Sequence, residues 1–134
     1  MSEDHVVGML DTSVIIDLEK IDPDHLPDGF IVSAITLGEL GAGVHTTDDP
    51  VERQLRISRN RRVELQWETV EFDVSAAQHY AILYAHMLAA GRNPRSRRLD
   101  LMIAATAASY PAPLYTRNPD DFKGLESALT VVAV

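Results

Sequence analysis

A chain of 134 residues with 46% hydrophobic and 24% charged residues has room for one domain with a buried core. It carries no cysteine, which excludes disulfides, thiol catalysis and thiolate metal sites. Its 12 Lys+Arg against 20 Asp+Glu give a net charge of −8, which excludes a uniformly basic nucleic-acid-binding surface.

The N-terminal residues Met1-Ser2-Glu3-Asp4-His5 are acidic where a secretory signal would be basic and then apolar. The longest apolar stretches, such as 101–108, are too short to cross a bilayer, so a cytoplasmic protein with no membrane partner is expected. Nine of the ten arginines fall in two runs. One comprises Arg53, Arg56, Arg59, Arg61 and Arg62, the other Arg92, Arg95, Arg97 and Arg98. Such segregation permits phosphate-binding arginines beside a carboxylate pocket in an otherwise acidic chain.

Residues 6–10 form an apolar run that stops at Asp11, as a buried parallel strand would. Thr12 or Ser13 is expected to cap a helix from Val14 to about Glu19, although Asp11 could itself serve as the cap. Residues 22–29 are turn chemistry, and residues 30–32 a second strand. Ser33 is placed to cap a helix that carries Leu37 and Glu39 and ends near Gly41. Gly38, Gly41 and Gly43 read as close packing and a helix end, not as a phosphate-cradling loop.

From Asp49-Pro50 to Leu65 the pattern predicts a polar, arginine-bearing helix with Val51, Leu55 and Ile57 on its inner side. A third strand is expected at 70–72. Asp73 or Ser75 then opens a long helix ending at Gly91, with Ala76, Tyr80, Leu83, Tyr84 and Met87 on its buried face. An arginine-rich loop follows, and Asp100 starts an alanine-rich helix over 101–109 that Pro111 and Pro113 end. Short strands are expected at 114–115 and 130–134. Strands alternating with helices, without a tight hairpin, predict a three-layer α/β/α sandwich around a four- to five-stranded parallel sheet. Residues 1–134 read as a single domain.

In an open parallel sheet, sites form beyond the carboxyl ends of the strands. Asp11 follows the first strand, Glu39 lies on the helix after the second, and Asp120 and Asp121 follow the fourth. Asp100, at a helix N-terminus, points to the same rim. Convergent carboxylates repel unless a cation joins them. An all-oxygen donor set favours Mg²⁺ or Mn²⁺, ions that activate water and neutralise charge in phosphodiester hydrolysis. Each acid also has an ordinary reading: a cap at Asp11, an exposed glutamate at Glu39, a favourable helix dipole at Asp100. Asn118-Pro119-Asp120-Asp121 is equally well explained as local helix-start chemistry.

Four words in order resemble the PIN-domain nucleases, and among them the VapC-type toxins of toxin–antitoxin pairs. They are Leu10-Asp11-Thr12-Ser13-Val14-Ile15-Ile16, Ser33-Ala34-Ile35-Thr36-Leu37-Gly38-Glu39-Leu40-Gly41-Ala42-Gly43, Asp100-Leu101-Met102-Ile103-Ala104-Ala105-Thr106-Ala107, and Leu114-Tyr115-Thr116-Arg117-Asn118-Pro119-Asp120-Asp121-Phe122. The resemblance spans almost the whole chain and is poorest over 44–68.

It implies a Mg²⁺- or Mn²⁺-dependent endoribonuclease, a homodimer, and a VapB-type antitoxin partner that presents an arginine to the carboxylates. It assigns metal binding to Asp11 and Asp100, with Glu39 completing the core. Many relatives carry an aspartate where this chain has Asn118, and Asp121 is expected to supply that charge. Thr12, Ser13, Thr116 and Asn118 become supporting residues that hydrogen-bond phosphate or metal-bound water. Arg92, Arg95, Arg97 and Arg98 become candidate contacts to RNA phosphates. The alternative is an inert PIN-like module that binds protein or RNA. Degenerate sites usually lack a core acid, and this chain keeps Asp11, Glu39 and Asp100.

Overall fold

The computed structural model describes residues 5–134; the acidic stretch 1–4 lies outside the described residues. Five strands, β1 (Val7–Leu10), β2 (Gly29–Ser33), β3 (Glu68–Val70), β4 (Leu114–Thr116) and β5 (Val131–Ala133), pair in parallel in the order β3-β2-β1-β4-β5. Five α-helices connect them: α1 (Thr12–Ile16), α2 (Ala34–Gly43), α3 (Pro50–Gln66), α4 (Val74–Ala89) and α5 (Arg98–Ser109). The expected parallel α/β sheet is present, in its five-stranded form.

Alternation along the strands divides the core in two. Met9, Ile31 and Leu114 face α4 and α5, packing with Leu83, Met87, Leu101 and Ile103. Their neighbours Leu10, Val32 and Tyr115 face the other way, against Val14 and Ile15 of α1, Leu40 of α2 and Val63 of α3. Both faces are thus covered, which is why the strands read as continuous apolar runs. Gly8 is required where it stands: a Cβ there would lie 2.4 Å from the Tyr115 ring and 2.9 Å from Pro27. Gly91 follows α4 at φ 75°, the left-handed conformation that ends helices.

The chain runs outward from β1 to β2 and β3 with its connecting helices on one face. It then crosses back through α4 and α5 on the other face to β4 and β5. The strand order therefore reverses between β1 and β4. At such a switch point the two connections leave to opposite faces and a crevice opens at the carboxyl ends of the strands.

Several local expectations are corrected. Asp11, not Thr12 or Ser13, caps α1, because its extended backbone lets the carboxylate accept from the Thr12 N–H. That helix stops at Ile16 and gives way to a 3-10 turn, Leu18–Lys20. The third strand lies at 68–70 rather than 70–72, where it continues the register of β2. Helix α5 begins at Arg98, so Asp100 lies in its first turn. Val51, Leu55 and Ile57 are 67%, 60% and 40% exposed. They are not the inner side of α3, whose buried residue is Val63. Added Cβ atoms at Gly38, Gly41 or Gly43 would meet nothing within 4 Å, so these glycines do not mark close packing.

Candidate functional site

Asp11 sits at the switch point. Its backbone N–H donates to the Tyr115 carbonyl, which carries the β1–β4 pairing to the end of the strand. The side chain is 5% exposed and held on every side. Its Oδ1 accepts from the Thr12 N–H at 2.9 Å, and Oδ2 accepts from Ser13 Oγ at 2.9 Å and Thr116 Oγ1 at 2.8 Å. Burial pushes the Asp11 carboxyl above its ordinary range, and the charge of Asp121 adds to this. The hydrogen bonds from Thr116, Ser13 and Thr12 pull the other way.

Thr116 is itself fully buried, and its hydroxyl accepts the Asn118 N–H at 2.9 Å while donating to Asp11. Ser13 Oγ likewise accepts the Arg117 N–H at 3.1 Å. The two hydroxyls therefore tie the loop after β4 to the carboxylate that follows β1. Both were expected to support the site, and both touch Asp11.

Glu39 reaches the same rim from α2. Thr12 Oγ1 lies 2.6 Å from Glu39 Oε1 and 3.2 Å from the hydroxyl of Thr36. Its single proton is best used on the charged, nearer acceptor. Thr36 is fully buried and went unnoticed in the sequence. Its signal was available, since a residue three before Glu39 shares its helix face.

Asp100 and Asp121 form the outer part. Both are half-buried and share one cation: Arg97 Nη1 donates to Asp121 Oδ1 and stands 3.9 Å from Asp100 Oδ2. Asp100 has its pKa pushed up to about 6, first by burial and then by the charges of Asp121 and Asp11, with Glu39 adding less and Arg97 opposing. The charges of Asp121, Asp11 and Glu39 all act on Asp100, so the four acids lie within electrostatic range of one another. Asn118 is exposed, and its side chain makes no capping bond to the turn Pro119–Phe122.

The second arginine run behaves unevenly. Arg92 donates to the Lys123 carbonyl at 3.0 Å, and Arg97 is committed to the acids. Arg95 and Arg98 are exposed. A separate groove of about 450 Å³ runs between α1, its following 3-10 turn and α3, lined among others by Ile16, Leu18, Leu55, Arg59 and Trp67. None of the four acids lines it, so cavity size does not locate this chemistry.

The donor set fits a hard divalent cation in kind. It is all oxygen, buried enough to repel, and already attracts a positive group in Arg97. Among the described residues, no three acidic or imidazole side chains are gathered closely enough to hold an ion as they stand.

The PIN domain family model matches residues 8–126, a span that holds β1 from Gly8 onward, β2, β3, β4 and all four acids. The chain is 37% identical over 134 residues to ribonuclease VapC5 of Mycobacterium tuberculosis, covering 98% of this chain and 96% of that one. It is 32% identical to ribonuclease VapC of Rickettsia bellii over 86% of its own length and 87% of the relative's. The solved structure of VapBC-5 from M. tuberculosis, a member of the VapBC toxin–antitoxin family, superposes with a TM-score of 0.85 at 35% identity. That match covers 96% of this chain and 99% of the other. This chain belongs to the PIN-domain family, and within it to the VapC ribonucleases.

Proposed function

We propose that this protein is the endoribonuclease toxin of a type II toxin–antitoxin pair, cutting RNA phosphodiesters with Mg²⁺ or Mn²⁺ held by Asp11, Asp100 and Glu39. The single observation that carries the reading is the buried Asp11 at the β1–β4 switch point, fixed by Thr12, Ser13 and Thr116 and within electrostatic range of Asp100 and Asp121. When bound, the ion supplies positive charge for the phosphate and lowers the pKa of water.

The chain's own groups do the rest. Thr116 and Ser13 hold the Asp11 carboxylate in one orientation, so it needs no reorganisation when the substrate arrives. Thr12 orients Glu39, the carboxylate placed to direct the attacking water or take its proton. Asp121, with Asn118 beside its turn, supplies the fourth charge at the outer edge. The exposed Arg95 and Arg98 are the arginines of the second run free to hold flanking phosphates.

A VapB-type antitoxin is the proposed partner, by analogy with relatives solved as VapBC complexes. The acids would accept an arginine from that partner as they accept Arg97. A homodimer is the proposed assembly, for which α4 exposes Val74, Ile82 and Leu88. The cytoplasm, where RNA is available, is the proposed location; among the described residues no helix is long and apolar enough to cross a membrane. Incubating the purified chain with RNA in Mg²⁺, and again with chelator, tests the central reading. Cleavage that stops in chelator and returns with Mg²⁺ is expected. Cleavage indifferent to chelator would overturn the metal assignment, and no cleavage of any RNA would favour the inert module.

A further inference from the structure

Arg97 occupies an unusual place among the arginines of its loop. It is the residue before α5, where its backbone lies at φ −123° and ψ 24° and its side chain makes no capping bond. The guanidinium is spent instead on the acids. Nη1 donates to Asp121 and stands 3.9 Å from Asp100, with the arginine side chain only one-third exposed. Asp100 follows it by three residues, so one helical turn carries both the acid and its counter-charge. Arg92 is turned to the Lys123 carbonyl, and Arg95 and Arg98 point their charge to solvent.

A monovalent cation thus stands between Asp100, which the proposed function assigns to a divalent ion, and Asp121, which it makes the fourth charge of the same site. The Asp121 oxygen that accepts from Arg97 cannot at the same time give that lone pair to a metal ion, and a guanidinium 3.9 Å from Asp100 repels an incoming cation. We propose that Arg97 is a built-in placeholder cation, which neutralises Asp121 and Asp100 in the metal-free protein and must be displaced from them for the ion to bind. Its physical work is to offset, before any metal arrives, the repulsion between Asp121 and Asp100, which lie on either side of the one guanidinium. The cost is a weaker apparent metal affinity, because part of the binding energy goes into breaking the pair. The device sets the metal concentration at which the site becomes loaded. The displaced guanidinium is then left at the rim of the site, one residue from Arg98.

This inference rests on the metal reading given above, and the test separates the two. Mn²⁺ binding is measured by titration calorimetry, without RNA, on the full chain and on Arg97→Gln and Arg98→Gln. The Arg98 variant removes the same charge one residue away without touching an acid. Arg97→Gln is expected to bind Mn²⁺ roughly three- to tenfold more tightly than the parent, and Arg98→Gln to change by less than about twofold. Thermal unfolding is followed in parallel. Metal-free Arg97→Gln should melt below the parent and gain more from Mn²⁺, because the ion replaces the lost cation. Equal or weaker binding by Arg97→Gln, or equal tightening in both variants, overturns the placeholder while leaving the metal site standing. No Mn²⁺ binding by any of the three overturns both readings.

Discussion

The inner and outer halves of the site neutralise their carboxylates by different means. Asp11 is buried and satisfied by a backbone N–H and two hydroxyls, all neutral donors rooted in the ends of β1 and β4. Asp100 and Asp121 are half-buried; Asp121 accepts from a guanidinium of the segment before α5, and Asp100 stands 3.9 Å from the same group. Neutral donors orient a carboxylate without cancelling its charge, so Asp11 stays attractive to a cation. A guanidinium does cancel charge, so the outer pair becomes available only by exchange. One half is a fixed anchor and the other an ion-paired jaw.

The largest effect should come from attacking the anchor. Asp11→Asn preserves shape and can keep part of the hydrogen bonding, so circular dichroism should show an intact fold. RNA cleavage should fall about a thousandfold, the worth of several kcal/mol of lost charge stabilisation. Full activity in that variant would break the comparison outright. Thr116→Val keeps the volume of a fully buried side chain but removes the donor to Asp11 and the acceptor of the Asn118 N–H. Cleavage should drop by about 10- to 100-fold with metal binding weakened, as when a group that orients a ligand is lost.

The jaw should reveal itself through pH. Asp100 holds its proton up to about pH 6, so metal and proton compete there below that value. Mn²⁺ affinity should fall by about tenfold for each pH unit below 6, and be flat above it as far as Asp100 is concerned. The same shift acts on stability with the opposite sense. The folded chain keeps a proton on Asp100 that the unfolded chain releases near pH 4. The metal-free protein should therefore lose stability as pH rises from about 4 to about 6. The smallest effect follows from that: Asp100→Asn removes a repelled carboxylate. It should stabilise the metal-free fold by about 1 kcal/mol, a few degrees of Tm, while abolishing metal binding. A drop in Tm would show that the pair with Arg97 outweighs the repulsion.

Much of this was legible in advance because it is written locally. An apolar run ending in an acid marks a strand delivering its side chain to a rim, and Asp11 obeyed that rule. The sheet followed from the alternation of strands and helices. The inner side of α3 did not follow. An amphipathic pattern shows which residues share a face but not which neighbour will cover it, and here Val63 alone of the expected and observed candidates is buried. The role of Arg97 was equally hidden. Four arginines in seven positions look alike until the fold turns one toward Asp121, 24 residues further along. Thr36 was missed for a different reason: attention to charge passes over a hydroxyl, even one three residues from Glu39 on the same helix.

The joining of β1 to β4 also carries a consequence for timing during synthesis. The hydroxyl that holds Asp11 belongs to a residue 105 positions later, and the backbone pairing at Asp11 comes from Tyr115. A growing chain on the ribosome can form β1, β2 and β3 in order, since each is contiguous with the last. The strand on the other side of β1 is still unmade at that stage. Until β4 emerges, Asp11 has neither its strand partner nor Thr116. The nascent protein therefore passes most of its synthesis without the completed site proposed to cut RNA, surrounded by the RNA of the machine that is making it.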